Sequence, residues 1–186
     1  MKINLPIIIE GCQRNDLLSQ QQLYKYCYAE LIKICYRYGG DADAAGSIFN
    51  NAMLKVFKSL ATYKEEGKLM GWIKTIVVNC CIDHCKQQSV FIESISSGLA
   101  EEIYIRPDVL DHVAAKEIQQ LIRQLPPATA LVFNLYVYEG YNHRQISEII
   151  GISSGTSKWH LSEGKKIMKQ YLEKHNPVLN KANAAG

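Results

Sequence analysis

Cys80-Cys81-Ile82-Asp83-His84-Cys85 gathers three thiols, a carboxylate and an imidazole into six residues, the side-chain types that hold zinc or carry redox chemistry. On a helix Cys81 and Cys85 share a face, as do Cys80 and His84. All four then lie within about 140° of one straight helix and cannot by themselves surround a tetrahedral ion. Packing as small apolar groups is their expected role. A redox pair would need a thiol from elsewhere, such as Cys27 or Cys35, and spacing alone does not place one. Histidines 84, 112, 143, 160 and 175 are scattered, and no Ser-His-Asp set, glycine-rich phosphate loop or paired metal motif is present. An enzyme is therefore not expected, nor a metal, a cofactor or a small-molecule substrate.

A second group of residues suggests binding chemistry. From Ser154 to Lys181 six lysines (158, 165, 166, 169, 174, 181) stand against Glu163 and Glu173, a net of +4, although the whole chain of 186 residues carries only +3. From Glu93 to Asp111 the balance is −4. A basic end beside an acidic middle fits a DNA-contacting module hung on a DNA-avoiding connector, and equally two solvated surfaces. Gln145 to Lys166 decides more. It reads as a helix-turn-helix: Ile146, Ile149 and Ile150 face inward, Gly151 allows a left-handed helix end, Ile152 buries in the turn, and Ser153 or Ser154 caps the next helix. With Leu161 and Met168 on the core side, Ser157, Lys158, His160, Ser162, Lys165 and Lys166 are expected to face outward. Small polar residues at the start of such a helix suit the major groove, and lysines suit flanking phosphates.

The elements that must position these residues are helices. Leu23, Cys27, Leu31, Ile34 and Tyr38 recur at helical spacing, and Gly39-Gly40 stops that run. Asp41 can cap a second helix whose stripe is Ala45, Ile48, Phe49, Ala52, Met53, Val56, Phe57 and Leu60. Glu65 to Lys68 reads as a loop, and a third helix from about Leu69 turns Ile73, Ile76, Val77 and Cys80 inward. Residues 89–109 lose periodicity, carry acidic groups and end beyond Pro107, which predicts an extended linker. Helical spacing resumes with Leu110, Val113, Ala114, Ile118, Leu121, Ile122 and Leu125. Pro126-Pro127 divides that helix from one lined by Leu131, Leu135 and Tyr138. Asn142 and Gln145 have the spacing of a capping box. The expected architecture is all-α: a helical bundle over 10–88, an acidic linker over 89–109, a helix-turn-helix domain over 110–176 and a tail over 177–186. The apolar start, Met1 to Ile9, is too short for a secretory signal or a membrane span, so a cytoplasmic chain with no membrane insertion and reduced thiols is expected.

Ile118 to Leu172 resembles the C-terminal, region 4-like domain of the small sigma factors of bacterial RNA polymerase. Leu125-Pro126, Glu139-Gly140 and Gly155-Thr156 stand where that family shows a leucine-proline pair, a Glu-Gly turn and a Gly-Thr at the recognition helix. Asp41 to Leu60 is similar to the family's polymerase-gripping helix, and Met70 to Gln88, with Trp72-Ile73, Asn79 and Asp83, resembles its promoter-opening helix in region 2. The order of domains matches the extracytoplasmic-function (ECF) group of the sigma-70 family. The sequence departs from the family at Asn50 and Asn51, where carboxylates are common, and at Cys85-Lys86-Gln87-Gln88, where arginines are usual.

This resemblance implies a non-catalytic protein whose partners are core RNA polymerase, promoter DNA and, in some members, an anti-sigma inhibitor. It implies that Thr156, Ser157, Lys158, His160, Lys165 and Lys166 read a minus-35 element as duplex. Tyr63, Lys64, Lys68, Lys74, Asn79, Asp83 and Lys86 would meet the opened minus-10 strand, and Asn50, Asn51, Leu54 and Lys55 would meet polymerase. Trp72 is expected in the core and Tyr63 at the surface. A dimeric helix-turn-helix regulator, or a protein-binding adaptor, would explain the second domain without explaining the first.

Overall fold

The structure, a computed structural model, describes residues 4–63, 68–87 and 115–175. The expected linker 89–109, the start of the second domain at 110–114 and the tail 177–186 lie outside the described residues, as does most of the loop at 65–68. Every described element is a helix, and the chain divides into two compact units at Cys85 and Lys86.

The first unit contains α1 (Leu5–Gln13), α2 (Leu17–Gly39), α3 (Ala42–Ser59), a single 3-10 turn (Leu60–Thr62) and α4 (Leu69–Gln87). Helix α1 is an element that the periodicity did not announce. Pro6 sits in its first turn, where a missing N–H is harmless. Ile8, Gly11 and Cys12 are buried, and Gln13 Nε2 donates to Leu60 O at 3.2 Å, which ties α1 to the far end of α3. A Cβ on Gly11 would collide with Ser19, so glycine permits the close approach of α1 and α2.

Helix α2 begins six residues before the expected stripe. Asp16 caps it, accepting from Ser19 N at 2.8 Å and from Ser19 Oγ at 2.6 Å, and these bonds hold its carboxyl below the ordinary aspartate value. Gly40, at φ 85°, closes it. Asp41 caps α3 through Ala44 N at 2.7 Å, as its position predicts. The α3 stripe buries Ala45, Ile48, Phe49, Ala52, Met53 and Val56, and Leu60 follows in the 3-10 turn. Phe49 receives Tyr24 and Tyr28 edge-on at 5.2 and 5.3 Å. Each large aliphatic or aromatic side chain so enclosed stabilises the bundle by about 1.5–3 kcal/mol. Helix α4 is buried more broadly than one stripe: Leu69, Ile73, Val77, Val78, Cys80, Cys81 and Ile82 are all enclosed, while Ile76 is half-buried.

The second unit contains α5 (Ala115–Gln124), α6 (Pro127–Val137), α7 (His143–Ile150) and α8 (Ser154–His175). Leu121, Ile122 and Leu125 seal one end. Helix α6 is central, with Ala128, Thr129, Leu131, Val132, Phe133, Asn134 and Leu135 buried, whereas Tyr138, expected to line it, stands just beyond its end and is 37% exposed. The capping box of α7 is complete: Gln145 N donates to Asn142 Oδ1 at 3.0 Å and Asn142 N to Gln145 Oε1 at 2.9 Å. Gly151 stands at φ 76°, ψ 32°, the left-handed helix end that its position predicts. Of the two candidate caps for α8, Ser153 is the one used, accepting from Thr156 N at 2.9 Å. Helix α8 lies against α6 and α7. A Cβ on Gly164 would meet Thr129 Cγ2 at 3.1 Å, so this glycine sets how near α8 comes to α6.

Candidate nucleic-acid interface

The inward face of α8 is Ser157, His160, Leu161 and Gly164, at intervals of three and one, then three. Its outward face presents Lys158, Trp159, Ser162, Lys165, Lys166 and Lys169, with Thr156 half-buried at the edge. Two expectations are corrected here. Ser157 and His160 do not face outward; they are 0% and 3% exposed. Polar groups tolerate burial when they are hydrogen-bonded, and both are. Ser157 Oγ lies 2.9 Å from His143 Nδ1, and His160 Nδ1 lies 2.9 Å from Thr129 Oγ1. Burial holds the His160 imidazole below the ordinary histidine value. His143, stacked on Tyr136 at 4.8 Å, is also lowered, by burial first and then by Lys158 and Lys165. Lys166 Nζ is 3.6 Å from Glu163 Oε1. Trp159 was missed by the sequence reading; the signal was available, because helical spacing puts it on one face with Ser162 and Lys166, away from Leu161.

In the first unit Tyr63 and Trp72 meet at 4.9 Å between ring centroids, across the gap that precedes α4. Neither matches its expected place: Trp72 is half-buried at a rim, and Tyr63 is half-buried rather than exposed. Lys68, Gly71, Trp72 and Thr75 line an open groove of about 550 Å³ beside that pair. Lys74 is half-buried, Asn79 is exposed and Lys86 lies in the last turn of α4, while Lys64 falls outside the described residues. Lys55 and Asp83, assigned by sequence to different partners, face each other at the surface: Lys55 Nζ donates to Asp83 Oδ2 at 3.3 Å. Asp83 raises the Lys55 ammonium above its ordinary value. Asn50, Asn51 and Leu54 stand exposed on α3, and Asn50 Oδ1 accepts from Tyr24 at 2.7 Å.

The cysteines are buried, apart from the half-buried Cys85. Cys35 on α2 and Cys81 on α4 are neighbours, and their interaction raises the Cys81 thiol and lowers that of Cys35. Spacing could not place this neighbour. Burial pushes Cys27 and Cys85 up to about 12.

Two family models match the chain in the order that the fold presents them, sigma-70 region 2 over residues 23–90 and sigma-70 region 4 over residues 115–168. The chain belongs to the sigma-70 family. Region 2 thus spans α2 to α4, and α1 packs on it from outside the matched segment; region 4 spans α5 to α7 and most of α8. The chain is similar to the ECF RNA polymerase sigma factor SigE of Mycolicibacterium smegmatis, 22% identical over 163 residues, 85% of this chain and 63% of that protein. It thus spans less than two thirds of that relative's length. It is also similar to the ECF RNA polymerase sigma factor SigW of Bacillus subtilis, 22% identical over 77% of this chain and 83% of that one. The RNA polymerase sigma-H factor of Pseudomonas aeruginosa is 20% identical over 94% of this chain and 95% of its own. Among the described residues, no helix is long and apolar enough to cross a membrane.

Proposed function

We propose that this chain is a sigma factor of the ECF group, which binds core RNA polymerase and directs it to particular promoters. The observation that carries this reading is the presence of both sigma-70 modules in order on one chain, with a lysine-bearing face left open on α8. The chain supplies binding and no catalytic group, since bond formation belongs to polymerase. It acts where polymerase acts, in the cytoplasm.

In this reading α8 enters the major groove of a minus-35 duplex. Thr156 and Lys158 reach base edges near its start, and Lys165 and Lys166 neutralise phosphates and release counterions. Ser157 and His160 hold the helix in place from behind. The minus-10 strand, once opened, passes the groove beside Tyr63 and Trp72. A base stacked on an aromatic face there gains about 1–3 kcal/mol, and Lys68 and Lys74 supply phosphate donors. Asn79, Asp83 and Lys86 continue that path along α4, and Lys64, next in sequence to Tyr63, serves the same strand. Asn50, Asn51, Leu54 and Lys55 on the open face of α3 dock on polymerase. An anti-sigma inhibitor would compete for these same faces.

Run-off transcription with core polymerase and a genomic promoter library tests the reading. Discrete transcripts that need both polymerase and this chain are the expected result. Absence of such transcripts, together with tight duplex binding by the chain alone as a dimer, would replace the sigma reading with a helix-turn-helix regulator.

A further inference from the structure

Trp159 is 44% exposed, the one large apolar side chain left so open among the described residues of α8. It lies in the second turn after the Ser153 cap, in the part of a recognition helix that goes deepest into a groove. Helical spacing puts Ser162 and Lys166 on its face, and Lys158 precedes it; all three are exposed. The indole is braced. It sits edge-on to the His160 ring at 4.8 Å and 68°, and that ring is fixed in the core by its 2.9 Å hydrogen bond to Thr129, itself 1% exposed. A rigid apolar surface flanked by cations and a small hydroxyl is thereby presented to whatever α8 meets.

Within a stacked duplex the major groove offers one apolar group, the C5-methyl of thymine; every other base edge there is a donor or an acceptor. We propose that Trp159 is a specificity-determining residue of α8, its indole packing on a thymine methyl of the upstream duplex element. This rests on the reading of α8 as the duplex-reading helix. The pair Thr129 and His160 then positions the reader from inside the domain, without meeting DNA.

The test uses holoenzyme reconstituted from core polymerase and the full chain, on a promoter found in the run-off assay. Each thymine of the upstream duplex element is replaced in turn by deoxyuridine, which deletes the methyl and leaves pairing intact. The wild-type chain should lose about fourfold in affinity at one position, the effect of one buried methyl-sized group. Trp159→Ala should lose that discrimination while keeping the salt dependence of binding, and Trp159→Phe should keep part of it. Matching thermal unfolding of the variants checks that the fold is intact. Transcription by wild type with no thymine whose methyl matters, or the same sensitivity in Trp159→Ala, would overturn the role of Trp159 alone. Failure of the wild-type chain to support any transcription would overturn the reading of α8 and this inference with it.

Discussion

Phe49, Leu23, Met53, Ile73 and five of the six thiols fill the first unit, and Asn50, Asn51, Asn79 and Asp83 of its candidate interface stand exposed outside that filling. In the second unit Thr129, Asn134, Ser157 and His160 are enclosed, the only polar residues so buried among those described. The two units therefore couple recognition to stability differently. On α3 and α4 the exposed residues can vary while the core stays as it is. On α8 the inward Ser157 and His160, hydrogen-bonded to His143 and Thr129, are next in sequence to the outward Lys158 and Trp159, so a change in packing reaches the outward face directly. Buried polar pairs need correct partners, and one missing partner is felt more than one missing methyl.

The sharpest way to break this contrast begins in the first unit. Phe49→Ala should lower stability by about 3–5 kcal/mol, read as a shift in the denaturant midpoint. A loss below about 1 kcal/mol would mean that the packing of Phe49 against Tyr24 and Tyr28 contributes little to the bundle. Next comes the polar core of the second unit. Thr129→Val keeps the volume but leaves His160 Nδ1 without its partner, and should cost about 1–3 kcal/mol. The same imidazole makes stability depend on pH. Its folded pKa is lowered, so at mildly acidic pH the unfolded chain binds the extra proton. Its contribution is fully present above about pH 6.5 and is lost as pH falls below that value. His160→Gln should flatten this part of the profile relative to wild type; His143 acts in the same direction and remains in both. An unchanged profile would separate His160 from the core described here.

Ser153→Ala removes the cap of α8 and should cost about 1 kcal/mol, the same as Asp41→Ala at the start of α3. Equal losses accompanied by weaker promoter binding only for Ser153→Ala would sharpen the distinction between the units. The smallest expected effect is that of Lys165→Ala, which should leave stability unchanged and reduce the salt dependence of promoter binding by about one unit of slope. An unaltered slope would mean that this lysine never meets phosphate.

Much of this organisation was legible in the sequence because local rules governed it. The α3 stripe, the Asp41 cap, the Asn142–Gln145 box and the Gly151 turn each depend on residues within a few positions of one another. Helix α1 was obscured because its apolar run looked continuous rather than periodic, and its docking rests on Gly11 and on Leu60, which lies far along the chain. The reading of α8 failed at Ser157 and His160 for a related reason. Polar residues were assigned to water, but their partners His143 and Thr129 are 14 and 31 residues away. The Cys35–Cys81 neighbourhood and the Lys55–Asp83 pair are likewise products of tertiary packing that no spacing rule reaches.

The burial of the thiols has a practical consequence for watching this protein at work. All six cysteines belong to the first 85 residues, five are enclosed, and burial holds the sixth, Cys85, in its unreactive protonated form at neutral pH. A single cysteine introduced on an exposed position of α8, such as Ser162→Cys, would then react with maleimide dyes far faster than any native thiol. The natural chain should thus give a low cysteine background, and a reporter on α8 could be attached without removing any of its own sulfur.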